Sequence, residues 1–185
     1  MKKILICLVI SLLLLTSCFS ATALNKAETQ LYSSRAGYHI TLPADWQLIS
    51  EDEQSAVFAA PEHDISLTIV SELGGETYYS LREIADMLLE ELPGSNSPWQ
   101  IRRTATDTAK KLRLLVRGED ETGIEVELDL SILQPYPGIR YYLLFAAGRT
   151  TAARQSAMIA DIGKSFSVDE DISYLYALME EWRAN

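Results

Sequence analysis

Cysteine is nearly absent from this chain: its two copies among 185 residues, Cys7 and Cys18, both sit near the N-terminus. Everything after Cys18 lacks a thiol, which excludes disulfides, thiolate metal sites and a cysteine nucleophile from the body of the protein. Histidine is also scarce, with only His39 and His63. No G-x-S-x-G elbow, H-E-x-x-H, phosphate-binding G-x-x-x-x-G-K or dinucleotide G-x-G-x-x-G occurs, so the common short signatures of hydrolases, zinc proteases and nucleotide enzymes are missing. Leu73-Gly74-Gly75-Glu76 is too short for a phosphate loop and reads as a turn. Positive charge is in deficit, with 16 Lys and Arg against 26 Asp and Glu, a formal net charge of −10. Such an acidic surface repels phosphate backbones and anionic lipid, so nucleic acid is not an expected partner. The one long apolar run, Ile4 to Leu15, is shorter than the roughly 20 residues a membrane-spanning helix needs.

What the N-terminus does contain is an address. Lys2 and Lys3 form a basic start, the apolar run follows, and small Thr16 and Ser17 lead into Cys18. Leu15-Thr16-Ser17-Cys18 resembles the lipobox of a bacterial lipoprotein signal peptide, whose cysteine takes a diacylglyceryl thioether and becomes the first mature residue. Ala21-Thr22-Ala23 offers a competing cleavage site for ordinary secretion; the lipobox spacing favours lipidation at Cys18. The expected protein is therefore extracytoplasmic and lipid-anchored to a bacterial membrane. Removing residues 1–17 leaves 168 residues and takes the net charge from −10 to −12. That length suits one domain with a core of its own.

Residues 18–34 are polar without a clear period and read as a tether, followed by a domain over 35–168 and a C-terminal helix over 169–185. Tyr38, Ile40 and Leu42 alternate on one face of a strand that Pro43 ends, and Trp46 closes one end of the core. Ala56–Ala60 and Ile65–Glu72 are further strands, the latter with Ile65, Leu67 and Ile69 inward and Ser66 and Thr68 outward. Ser80 with Glu83 forms a capping box, and Leu81, Ile84, Ala85, Leu88, Leu89 and Leu92 make one apolar helix stripe. Pro93-Gly94 stops that helix. Trp99–Ala105 is a strand, and Lys110–Gly118 with Gly123–Leu133 forms a hairpin. One hairpin face carries Leu112, Leu114, Val116, Ile124, Val126, Leu128 and Leu130. The other opposes Lys111, Arg113 and Arg117 to Glu125, Glu127 and Asp129, and reads as a solvated face registered by charge rather than a basic binding patch. Pro137-Gly138 suits a type II turn. Ile139–Ala147 is apolar on both faces and must be central. Thr151–Ile162 is a second helix, and Ser167 with Glu170 begins a third. The expected fold is α+β, a central antiparallel sheet flanked by helices on both faces.

This order of elements resembles the PsbP/Mog1-like superfamily. Tyr38-His39-Ile40-Thr41-Leu42-Pro43-Ala44-Asp45-Trp46 resembles its opening strand, and Ile162-Gly163-Lys164-Ser165-Phe166 resembles the helix end and Ser-Phe that close many members. The resemblance implies the same sheet-and-helix fold. It also implies docking or assembly rather than catalysis, with bacterial envelope lipoproteins common among members and no shared catalytic set. Asp169–Asn185 extends beyond the pattern.

The expected function is thus a non-enzymatic docking or assembly module of the envelope, with a small hydrophobic ligand or lipid carrier as the alternative. A hydrolase using His39 or His63 with nearby carboxylates is the third reading, against which the lack of any triad order weighs. No catalytic residue, cofactor or metal site is expected. Glu62-His63-Asp64, the only local cluster of ligand types, reads as a charged turn. Tyr78 and Tyr79 either rim a cleft or staple the helix entry, and packing is the expected role. The expected partners are the membrane, through lipid on Cys18, and a protein of the envelope. The C-terminal stripe Ile172, Leu175, Tyr176, Met179 and Trp182 has two places to go: the face of the central strand bearing Tyr142 and Leu144, or a groove on a partner. The need to cover that face favours the first.

Overall fold

A computed structural model describes residues 28–62, 64–75, 78–92, 99–120 and 122–184, with backbone only at 172 and 182–184. The elements in chain order are β1 (Thr29–Ser34), β2 (Tyr38–Pro43), β3 (Gln47–Glu51), β4 (Ser55–Ala59), β5 (Ile65–Leu73), α1 (Leu81–Glu91), β6 (Gln100–Asp107), β7 (Lys111–Glu119), β8 (Glu125–Tyr136), β9 (Ile139–Gly148), α2 (Arg149–Ser165), β10 (Ser167–Val168) and α3 (Ile172–Ala184). Seven strands form one sheet in the order β3-β4-β5-β9-β8-β7-β6, and three form a small second sheet, β1-β2-β10. Every pairing is antiparallel.

β9 lies at the middle of the large sheet and is buried from Ile139 to Ala147, as its two apolar faces require. On one side, Tyr141, Leu143 and Phe145 pack with Tyr38, Ile40 and Leu42 of β2, Ile159 and Ile162 of α2, and Leu175 and Met179 of α3. On the other, Tyr142, Leu144 and Ala146 pack with the leucines of β7 and β8 beneath α1. The α1 stripe is buried as its period predicts, including Leu92 at the C-cap. The Ser80 side chain accepts the Glu83 N–H, and the Glu83 carboxylate accepts the Ser80 N–H at 2.8 Å, completing the capping box.

Several expectations need correction. The polar stretch through Ser34 is not all tether: Thr29–Ser34 is β1, paired with β2 in register Ser34↔Tyr38, because an edge strand with one solvated face needs no apolar alternation. β3 was not expected for the same reason; all five of its residues are exposed. Ser66 and Thr68 do not face water; both are buried with the rest of β5. Ser167 and Glu170 do not open the third helix. Ser167 and Val168 pair with His39 and Tyr38 as β10, and Asp171 accepts the N–H groups of Ser173 and Tyr174 at 3.0 and 3.2 Å, the bonding an N-cap provides.

The C-terminal helix docks on its own domain, but not on the expected side. Leu175 is wholly buried among Tyr38, Tyr141 and Ile139, whereas α1 covers Tyr142 and Leu144. Of the opposed charges on the β7–β8 hairpin, Arg113 and Arg117 pair across the strands, whereas Glu125 bonds Arg149 of α2 and Lys111 has no anionic partner among the described residues. Arg113 makes two bonds to Asp129, at 2.9 and 2.5 Å, and Arg117 bonds Glu127 at 2.7 Å. Ile124, expected inward, is half-exposed in the connecting turn.

Candidate interaction surface

One end of the large sheet gathers most of the exposed aromatic side chains, and its backbone explains how. β8 and β9 join at Pro137-Gly138, where Gly138 has φ +77°, the left-handed conformation that a side chain resists. The Gly138 carbonyl then accepts the N–H groups of Gly74 and Gly75 at 2.8 and 3.1 Å, tying the exit of β5 to this turn. α3 crosses the same end. Its Leu175 lies against Gly37 in the β1–β2 turn, and one helical turn on, Met179 lies against Gly138. Tyr141 Oη donates to the Ala36 carbonyl at 2.9 Å, fastening the β1–β2 turn beneath α3. The β6–β7 turn arrives here as well, with the Gln134 N–H donating to the Lys110 carbonyl at 2.9 Å.

A buried ionic cluster stiffens this end from inside. Arg140 bonds Glu72 at 2.9 Å and the Gln134 side-chain oxygen at 3.1 Å, and Tyr142 Oη donates to the same Glu72 carboxylate oxygen at 2.5 Å. Burial, reinforced by the Glu72 charge, pushes the Tyr142 phenol well above its ordinary range, so it remains a donor at any physiological pH. Toward this end Tyr78 is 86% exposed and Tyr79 47% on the approach to α1, in one layer, and Tyr174 and Tyr176 are 42% and 38% exposed on α3, in the other. Tyr174 Oη donates to the Arg35 carbonyl at 3.1 Å, which orients its ring without burying it. Lys110 and Lys111 sit at the neighbouring β6–β7 turn. Exposed tyrosines on a rigid frame present large contact area at small entropic cost, which is what protein interfaces use.

Other candidate residues fall elsewhere. Cys18, His63 and residues 1–17, expected as a signal peptide, lie outside the described residues, as does the side chain of Trp182. Asp64 is within 3.7 Å of Arg154, and among the described residues no group of three His, Cys, Asp or Glu side chains could hold a metal ion. No described helix is long and apolar enough to cross a membrane. His39 is bridged on both ring nitrogens, by Ser33 Oγ at 2.8 Å and Asp169 Oδ1 at 2.7 Å. Ser33 and His39 are direct register partners on β1 and β2, and Asp169 follows β10, so the chain of two bonds ties the start of the C-terminal segment to the small sheet. Sequence reasoning had no means to find Ser33 or Asp169, since β1 and β10 were not visible as strands.

Compared by sequence, the chain matches no established family and no curated protein. Compared by structure, it is similar to the solution structure of cyanobacterial PsbP (CyanoP) from Synechocystis sp. PCC 6803, with a TM-score of 0.56 at 15% identity, covering 81% of this chain and 98% of that one. It is likewise similar to the Saccharomyces cerevisiae Ran-binding protein Mog1p, with a TM-score of 0.56 at 10% identity over 77% of this chain and 96% of that one. The chain has the PsbP/Mog1-like fold. A Mog1 point mutant gives a TM-score of 0.58 at 11% identity, covering 80% of this chain and 99% of its own. Within the PsbP/Mog1-like frame, the two stretches that carried the sequence resemblance meet: the Thr41 N–H donates to Ser165 Oγ at 3.0 Å, and Phe166 stacks on Tyr38 with ring centroids 5.3 Å apart.

Proposed function

We propose that this chain is a non-enzymatic docking module of the bacterial envelope, anchored through lipid on Cys18, with the tyrosine-rich end of the sheet as its contact surface. The observation that carries the reading is the set of exposed rings at that end, Tyr78, Tyr79, Tyr174 and Tyr176, mounted on a sheet with a buried apolar layer on each face. Support comes also from a neighbour in fold that is named as Ran-binding, a use of this frame for contact between proteins. A lipid carrier would need an apolar cleft open to solvent, whereas the large side chains of both layers are closed over each other. The direct test is a photocrosslinking residue placed in turn at Tyr79 and Tyr176 of the full chain in its native envelope. The expected result is capture of the same protein from both positions; crosslinks to lipid alone would overturn the reading. Anchoring is tested by labelled palmitate, which Cys18→Ala should no longer incorporate.

The Ser33–His39–Asp169 array favours a second reading, a serine hydrolase. It is the weaker one, because the hydroxyl and the imidazole face each other across two neighbouring strands and each has a structural use there. An active-site fluorophosphonate probe should leave the protein unlabelled. Labelling that disappears in Ser33→Ala would replace docking with hydrolysis.

A further inference from the structure

The acidity of the chain is not evenly spread. Between residues 100 and 118 there are six cations, Arg102, Arg103, Lys110, Lys111, Arg113 and Arg117, against the single carboxylate of Asp107, in a chain of net charge −10. Arg113 and Arg117 are held by Asp129 and Glu127, and Asp107 lies 3.6 Å from Arg82. Arg102, Arg103, Lys110 and Lys111 have no anionic partner among the described residues, and the first three are exposed. Arg102 and Arg103 lie on β6, and Lys110 and Lys111 where its turn leads into β7; β6 is the outermost strand of the sheet, and its far edge is unpaired among the described residues. β6 is exposed at every position but Thr106, and Ile101 beside Arg102 is 40% exposed. The β6–β7 turn delivers Lys110 and Lys111 to the same end of the sheet as the exposed tyrosines.

We propose that the β6–β7 hairpin is a docking edge for an acidic, extended polypeptide segment of the partner. This rests on the docking reading and names the chemistry of what docks. The four uncompensated cations supply charge complementarity and the free edge offers backbone donors and acceptors, while apolar contact comes from Ile101 at the start of β6, level with Val116, and from the tyrosines beyond the β6–β7 turn at its other end. Lipid headgroups share the anionic character but fit the geometry less well. β1 pairs Thr29 with Pro43 and Ser34 with Tyr38, so the chain enters the fold roughly 17 Å behind the β1–β2 turn, at about 3.3 Å per residue. α3 crosses from that turn to Gly138, which places the docking end away from the point where a tether from Cys18 arrives. Cations and the two irregularities of register on β6 also serve to discourage sheet-to-sheet aggregation, and that role alone predicts no binding.

The probe is a fluorescein-labelled peptide of about ten residues alternating Glu and Val, titrated against the full chain in neutral detergent micelles. We expect saturable, salt-weakened binding that protects β6 amides from hydrogen exchange. Affinity should fall about five- to ten-fold in Arg102→Gln/Arg103→Gln and again in Lys110→Gln/Lys111→Gln, as loss of exposed ion pairs implies. The charge-matched control Arg154→Gln/Lys164→Gln should bind as the parent does. All six positions lie at the surface or near it, and matching denaturation midpoints will show that each variant folds. Equal loss in the control, or hairpin-dependent binding to phosphatidylglycerol vesicles in place of the peptide, would overturn the proposal. Capture of a protein from Tyr79 with no hairpin-dependent peptide binding removes this inference and leaves the docking reading standing; hairpin-dependent binding without capture at Tyr79 supports the docking edge and removes the tyrosines from the contact surface.

Discussion

Gly37 shows how much a single residue can decide. Its φ is +76°, and a Cβ there would lie 2.3 Å from Leu175 Cδ2, a side chain that is itself fully buried. Gly37→Ala therefore meets backbone strain and a clash at once, and should cost about 1–3 kcal/mol in urea unfolding. Asp120 decides the turn between β7 and β8. Burial acts to raise its pKa, but bonds from the Thr122 hydroxyl and from the backbone N–H groups of Ile124, Thr122 and Gly123 outweigh burial and hold the carboxyl below its usual range. A folded-state pKa below the unfolded value means that stability is fully present above about pH 4 and is lost as pH falls through the folded value. Denaturant midpoints measured from pH 7 down to pH 2 should thus fall less steeply in Asp120→Asn than in the parent.

At the scale of elements, α3 and α1 make a useful contrast. α1 announces itself in the sequence through its capping box and a stripe that is apolar on one side only. The stripe of α3 was equally legible, yet its destination was not, because a helix period says which face is buried and nothing about against what. The expectation that it would cover Tyr142 failed because α1 already occupies that layer. Leu175 instead seals the layer beneath Gly37. Leu175→Ala should cost about 2–5 kcal/mol, and deleting residues 169–185 should cost at least as much. Stability unchanged by either, read from urea unfolding, would mean that α3 does not close this core in solution.

The whole molecule begins earlier than its sequence pattern suggested, and that can be measured. Tyr32 of β1 packs edge-on against Phe58 at a centroid distance of 4.8 Å and donates to Glu51 at 2.5 Å. A chain started at residue 35, the expected domain boundary, loses that ring and exposes the edge of β2. It should be less stable than one started at residue 28 by on the order of 3 kcal/mol, the scale of deleting a packed aromatic, in matched denaturant melts. Equal stability would return β1 to the tether.

Sequence alone determined the parts whose cause is local. The central position of β9 followed from two apolar faces, the α1 boundaries from Ser80, Glu83 and the stripe, and the turn at Gly138 from Pro137-Gly138. The α+β class followed from counting the surfaces that needed cover. Only the tertiary structure decided which layer each helix covers, that β1, β3 and β10 exist, and that His39 sits between Ser33 and Asp169. Those features depend on strand edges and on residues as far apart as 39 and 169, whose pairing leaves no period to read. The docking end has the same origin. Tyr78, Lys110, Gly138 and Tyr174 are ordinary turn and surface residues along the chain, and they lie toward one end of the fold because antiparallel strands return their turns to the same end of a sheet.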